Sequence, residues 1–215
     1  MQRLRIKFSR GPEVKFISHL DIVRLWQRAF NRAGIEIAYS TGFTPHPRIA
    51  LAAPLALGVT SEAEMMDIFC IRGVAPNYFI TAVNQQLPAG IAASKVYPMP
   101  FETPSLQSSI SQAEYRVEVN TEAGPADIKM ALQTILDLKQ LPWQHQRDTG
   151  PHHYDLRALI ADLWVIGWQP PAGALGMRLQ CDNAGSGRPE QVTAALGFKE
   201  RPESVNRTQI ILKIK

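Results

Sequence analysis

The sequence is short of cysteine: Cys70 and Cys181 are the only two in 215 residues. That leaves no disulfide framework, and the spacing fits neither a zinc site nor an iron–sulfur cluster. A reducing cytoplasm is the expected compartment. Long hydrophobic runs are missing as well. The longest, around Ile49 to Val59, is broken by Pro54 and Gly58, and a membrane helix needs roughly 18 apolar residues. The opening residues Met1 to Phe8 alternate charged and apolar side chains like a strand and lack the apolar core of a signal peptide. The sequence therefore predicts a soluble chain with no membrane partner. It also lacks a P-loop, a dinucleotide glycine pattern, a nucleophile elbow and any Cys/His cluster with metal spacing. No cofactor and no metal are expected.

What is present is ordinary globular material, 45% hydrophobic and 20% charged, enough to bury a core in one large domain or two of about 100 residues. The net charge of +4 is unevenly placed. Residues 1–110 hold 11 Lys/Arg against 7 Asp/Glu, whereas residues 111–215 hold 12 of each. An excess confined to one half points to an anionic partner for that half.

The pattern of elements repeats. Arg3 to Phe8 reads as a strand, and His19 to Ala33 as a helix closed by Gly34. Extended segments follow at Ile35 to Tyr39, Arg48 to Ala53 and Glu64 to Ile71. A helix over Tyr78 to Leu87 and a strand over Ile91 to Tyr97 complete the half. The stretch from Pro98 to Ser111 is rich in Pro and Ser and reads as a linker, placed at 101–112 between the two halves. The second half then offers strand Ala113 to Val119, helix Ala126 to Leu138 and strand Leu141 to Arg147. Extended segments near Leu163 to Trp168 and Leu175 to Cys181 precede helix Pro189 to Leu196 and strand Thr208 to Ile214. This predicts an α+β chain of two tandem ferredoxin-like (split βαβ) domains with antiparallel sheets, at 1–100 and 113–215.

The first helix carries the clearest chemical signal. Ile22, Leu25, Trp26, Ala29, Phe30 and Ala33 share one face at 100° per residue. Asp21, Arg24, Arg28 and Arg32 form a stripe opposite, because residues four apart stack along a helix. Such a guanidinium row suits phosphate; it also suits a solvated face in which Asp21 pairs with Arg24. Ser18 and Asp21 fit a capping box. His19, at the helix start, is a candidate general base. In the loop from Ser40 to Arg48, two prolines stiffen the chain around His46. Phe43, His46 and Arg48 there suit stacking on an unpaired base beside a phosphate, or Phe43 tucks into the core. Glu62, Glu64 and Asp67 are available to partner the arginine stripe. Further on, Leu141, Trp143, His145 and Arg147 share one side of their strand. The glycine-rich Gly185–Arg188 stretch offers backbone N–H groups and Arg188 for a phosphate.

The run Phe16-Ile17-Ser18-His19-Leu20-Asp21, with Arg24, Arg28, Ala38-Tyr39-Ser40, Gly42-Phe43, Pro45-His46-Pro47-Arg48, Pro54-Leu55, Gly58 and Ser61-Glu62-Ala63-Glu64, resembles the radical SAM-linked family of bacterial proteins. Asp155-Leu156-Arg157 with Ile160, and Arg188-Pro189-Glu190, resemble that family's later motifs. The resemblance implies a radical SAM enzyme as a partner on a separate chain, since no C-x-x-x-C-x-x-C triad is present here, and an RNA-processing or ribosomal context. A more distant likeness is to the CRISPR repeat-RNA endoribonucleases, which share duplicated ferredoxin-like domains. Three functions follow as expectations. The first is a non-catalytic accessory protein binding structured RNA through Arg24, Arg28, Arg32, Phe43, His46, Arg48 and Arg188. The second is a metal-independent endoribonuclease with His19 as base and His46 as acid. The third is a protein–protein adaptor without nucleic acid.

Overall fold

The computed structural model describes residues 1–147 and 150–213. The chain divides into two compact units, Met1–Ile110 with Lys213 and Ser111–Leu212. Both are mixed α+β with mostly antiparallel pairing.

The first unit runs β1 (Gln2–Arg10), a 3-10 turn (Pro12–Val14), α1 (His19–Arg32), β2 (Ile49–Leu51), β3 (Thr60–Cys70), α2 (Pro76–Asn84), β4 (Ile91–Met99) and a single turn α3 (Leu106–Ser109). Its strands lie in the order β2-β3-β1-β4, each pair antiparallel. α1 starts where the Ser18 hydroxyl accepts the Asp21 N–H at 3.2 Å, satisfying a donor the helix cannot. It stops before Gly34, whose φ of 69° only glycine adopts cheaply. The buried Ile22, Trp26, Ala29 and Phe30 face the sheet. Trp26 meets Phe8 of β1 edge-on at 5.0 Å and Phe30 at 5.4 Å, and Phe30 meets Phe79 of α2 at 5.8 Å. That row joins sheet and both helices, and each ring's burial contributes about 1.5–3 kcal/mol. Cys70 ends β3 in the same core, and burial pushes its thiol up to about 11. The unfolded chain would ionise it near the ordinary 9.0, so this contribution to stability is complete below that pH and declines as pH climbs toward 11. Thiol reagents at pH 8 are expected to leave Cys70 unmodified until denaturant is added.

On the other side of the sheet, Arg3 and Arg5 of β1 reach across to Asp67 of β3. Arg3 places Nη2 2.6 Å from Oδ2, and Arg5 places Nε 2.7 Å from Oδ1 and Nη2 2.9 Å from Oδ2. All three are buried. Arg3 also donates to the carbonyls of Phe101, Thr103 and Pro104. Of the segment 101–112, expected as a linker, residues 101–110 belong to the first unit, where they carry α3 and lend carbonyls to a buried guanidinium, and Ser111 and Gln112 belong to β5 of the second. The strand expected over Ile35 to Tyr39 is also corrected. Only isolated bridges form, Ile37 to Cys70 and Tyr39 to Pro47, and the strand beside β3 is β2, with Ile49 opposite Ile68.

The second unit comprises β5 (Ile110–Asn120), α4 (Pro125–Asp137), β6 (Pro142–Arg147), β7 (Gly150–Asp155), a 3-10 turn (Arg157–Leu159), β8 (Ile160–Gln169), β9 (Ala172–Asp182), β10 (Gly185–Ser186), α5 (Pro189–Ala195) and β11 (Ser204–Leu212). β8-β9-β5-β11 form its sheet, with β10 also on β9. The expected strand at Leu141 to Arg147 exists as β6 but pairs with β7 in a separate ribbon, Trp143 opposite Tyr154 and His145 opposite His152. The place beside β9 belongs to β8. Asp155 fixes the ribbon's root by accepting the N–H groups of Leu141 and Arg157 at 2.8 and 3.0 Å. Arg157 clamps the Leu136 and Ile160 carbonyls. The two ends of this unit meet: Ser111 Oγ donates to the Ile211 carbonyl at 3.1 Å.

Glycine is required where the indole of Trp168 crosses Gly173 on the neighbouring strand. A Cβ there would stand 2.3 Å from the ring, and the ring is held by its Nε1 donating to the Ala123 carbonyl at 2.9 Å. Gly173→Ala is expected to lower stability by about 1–3 kcal/mol in urea unfolding, the cost of overpacking a fixed ring. No helix among the described residues is long and apolar enough to cross a membrane.

Candidate nucleic-acid interface

The arginine stripe of α1 divides into two flanks. Asp21 accepts from the Ser18 hydroxyl at 2.6 Å and from Arg24 Nη1 at 3.1 Å. These two contacts, Ser18 first, with the Arg24 and Arg28 charges behind them, hold its carboxyl below the ordinary carboxylate range. Ser18 thus caps the helix as expected, through the Asp21 N–H, whereas the Asp21 carboxylate takes the Ser18 hydroxyl and Arg24 rather than a backbone N–H. Arg24 nonetheless keeps most of its side chain in water, where such a pair is weak. Arg28 is exposed and makes no ion pair or side-chain hydrogen bond among the described residues. Arg32 turns the other way, donating to the Gln86 carbonyl at 2.7 Å beyond α2.

The opposite flank of α1 meets the proline-rich loop. Gln27 Nε2 donates to the Tyr39 hydroxyl at 2.8 Å. Arg24 stands one turn before Gln27 on that side of the helix. Tyr39 is the first residue of the loop's neck. It bridges to Pro47, the Ser40 N–H donates to the His46 carbonyl at 2.9 Å, the His46 N–H to the Ser40 hydroxyl at 3.0 Å, and the Arg48 N–H to the Ala38 carbonyl at 2.8 Å. Above this neck the chain reverses at Gly42, φ 135°, a conformation that favours glycine. The tip residue Phe43 is fully exposed, at 109% relative accessibility. A ring left entirely in water on a loop whose two ends are bonded together is an unusual use of an aromatic. The reading in which Phe43 tucks into the core is thereby corrected.

Arg48 does not join the tip. Its guanidinium lies 3.6 Å from the centre of the Phe69 ring on β3, with Nη1 3.8 Å from the Met1 sulfur, a cation–π shelf within the unit. Asp67 is spent on Arg3 and Arg5 and does not serve the stripe. His19 and His46 are both exposed, and neither imidazole is hydrogen-bonded to a described residue.

In the second unit, Arg188 caps the start of α5 and points Nη1 at the His145 Nε2, 3.5 Å away. The glycine-rich stretch before it is not an open phosphate cradle. The Gly187 N–H donates to the Gln180 carbonyl at 2.9 Å and the Ala184 N–H to Asp182 at 2.9 Å, while β10 pairs with β9. The side-chain environment of Arg147 lies outside the described residues.

Sequence reasoning missed the Gln27–Tyr39 tie and the exposure of Phe16, whose ring carries the Lys15 ammonium 5.2 Å from its centre, and of Leu20 and Leu57.

Two solved structures share the fold. A chain of a Cbf5-Nop10-Gar1 complex matches with a TM-score of 0.54 at 8% identity, over 96% of this chain and 48% of that one. A chain of the archaeal box H/ACA sRNP Nop10-Cbf5 complex matches with a TM-score of 0.50 at 8% identity, over 95% and 46%. The present chain thus spans about half the length of these relatives. No curated protein sequence matches it. The family described as "Uncharacterized protein conserved in bacteria (DUF2344)" matches residues 3–189, and the chain belongs to that family.

Proposed function

We propose that the chain is a non-catalytic RNA-binding accessory protein that presents RNA to a radical SAM enzyme carried on a separate chain. We read the strand orders β4-β1-β3-β2 and β11-β5-β9-β8 as two ferredoxin-like units, whose helices cover one face of each sheet and leave α1 to carry ligand-facing residues. The observation that carries the reading is Phe43, wholly exposed on a pinned loop. An unpaired base stacks on such a ring without the loop having to order first. Arg28 and Arg24 supply cations on the helix beside the loop's neck, and the excess positive charge of residues 1–110 acts in the same sense. The fold's occurrence in complexes named as an sRNP is in keeping with it.

Fluorescence anisotropy with a labelled RNA hairpin tests the reading. Affinity is expected to fall steeply between about 50 and 200 mM salt, and the slope to shrink by roughly 0.7 for each arginine replaced in Arg24→Gln and Arg28→Gln. A flat salt response, or no binding by the unmodified chain, overturns it. The RNA is expected to stay intact in EDTA; cleavage abolished by His19→Ala would establish the endoribonuclease instead.

One observation favours the adaptor as a second reading: Phe16, with the Lys15 ammonium 5.2 Å from its ring centre, is exposed, as are Leu20 and Leu57, a mix of side chains suited to a protein surface. Co-purification of a radical SAM protein that survives nuclease treatment, and is lost in Leu20→Glu, would support it.

A further inference from the structure

The ribbon β6–β7 presents on one side the four rings of Trp143, His145, His152 and Tyr154, a two-by-two array set by the register. His152 stacks on Tyr154 at 5.5 Å, and the Tyr154 hydroxyl donates to Gln191 Oε1 at 2.7 Å. Arg188, one turn earlier on α5, stands at the edge of the array against His145. Its guanidinium is exposed and forms no ion pair among the described residues; its neighbour is an imidazole nitrogen, not a carboxylate. From Pro142 to Tyr154 the one acidic residue is Asp148, which lies outside the described residues. Asp155, next in line, is occupied by the N–H groups at the root. A guanidinium with no ion pair among the described residues, beside half-exposed aromatic rings on a ribbon whose base is locked, has the makings of a base-and-phosphate contact.

We propose that this array and Arg188 form a second contact for single-stranded RNA, with a base lodged against the rings and the adjoining phosphate on the guanidinium. The inference rests on the RNA-binding reading above but uses different residues in a different unit, so each can fail alone. The rings accept any base, so the contact is sequence-tolerant. The Gly185–Gly187 backbone has no part in it, because its N–H groups are spent within the fold.

The test uses the full chain and an oligouridylate of about 10 nucleotides, labelled for anisotropy and carrying 4-thiouridine for photocrosslinking. Arg188→Gln and His152→Ala replace exposed side chains and are expected to melt as the unmodified protein does. Each should weaken binding by roughly fivefold or more, with crosslinks in the peptide containing Trp143 or Tyr154. Unchanged affinity in both variants, with crosslinks confined to residues 1–110 and binding lost in Phe43→Ala with Arg28→Gln, refutes the second contact and leaves the first standing. The reverse pattern refutes the first and leaves the second. No binding by the unmodified chain removes both.

Discussion

Asp67→Ala is expected to cost about 3–5 kcal/mol of stability, the loss that follows when one member of a buried ionic group is removed. Among the described residues the carboxylate is the only ion-pair partner of two guanidiniums, and its side chain is 2% exposed. Without it Arg3 still has three carbonyls to bond, whereas Arg5 keeps no hydrogen bond among the described residues. The penalty therefore falls mainly on Arg5, a charge left in a dry site between strands. Urea unfolding checks this through the midpoint at unchanged slope. Asp67→Leu combined with Arg5→Met should recover most of the loss, since apolar replacements of a buried pair are often neutral. A cost below about 1 kcal/mol for Asp67→Ala would mean that water reaches the cluster and that the sheet's second face is not sealed.

Phe43→Ala should do the opposite: leave stability within about 0.5 kcal/mol and remove most of the RNA affinity. The ring touches nothing whose loss would unfold the loop, because the neck is held by the Ser40–His46 bonds and the Tyr39–Pro47 bridge. Stacking of a base on an aromatic side chain is worth about 1–3 kcal/mol, or roughly a 5- to 150-fold weaker Kd. Phe43→Trp should restore binding, since it keeps a π-face at the tip. Full affinity in the alanine variant would exclude the tip from the interface and leave Arg24 and Arg28 as a diffuse electrostatic patch. The two substitutions thus separate what holds the unit together from what it offers to a ligand.

How far these features could be read from the sequence depended on the range of the interaction. α1 was legible to its caps, because apolar period, capping box and terminal glycine all lie within 17 residues and agree. The loop's stiffness followed from Pro45 and Pro47, but not that Phe43 would be left in water. That outcome depends on Ser40 and His46 closing the neck and on Gln27 holding Tyr39, contacts made only after folding. The three arginines were one stripe by helical geometry, yet Arg32 departs to a carbonyl 54 residues away. Asp67 was read as available to that stripe, along with Glu62 and Glu64, because nothing local reveals that Arg5 stands opposite it. The 101–112 segment read as a linker because the stretch from Pro98 to Ser111 is rich in Pro and Ser, while Phe101, Thr103 and Pro104 lend their carbonyls to Arg3. The ribbon was taken for a strand of the main sheet, since a period of two says that a strand exists and not which strand it joins.

The meeting of Ser111 and Ile211 makes the second unit a closed lobe on the chain: it leaves and returns at one point. Lobes of that form tolerate being cut out and reclosed. A short glycine–serine bridge from Ile110 to Lys213, whose neighbourhood is already marked by the Lys213 N–H on the Ser109 carbonyl at 2.7 Å, would replace the excised lobe without stretching the backbone. A circular permutant could likewise join Leu212 to Ser111 and open elsewhere.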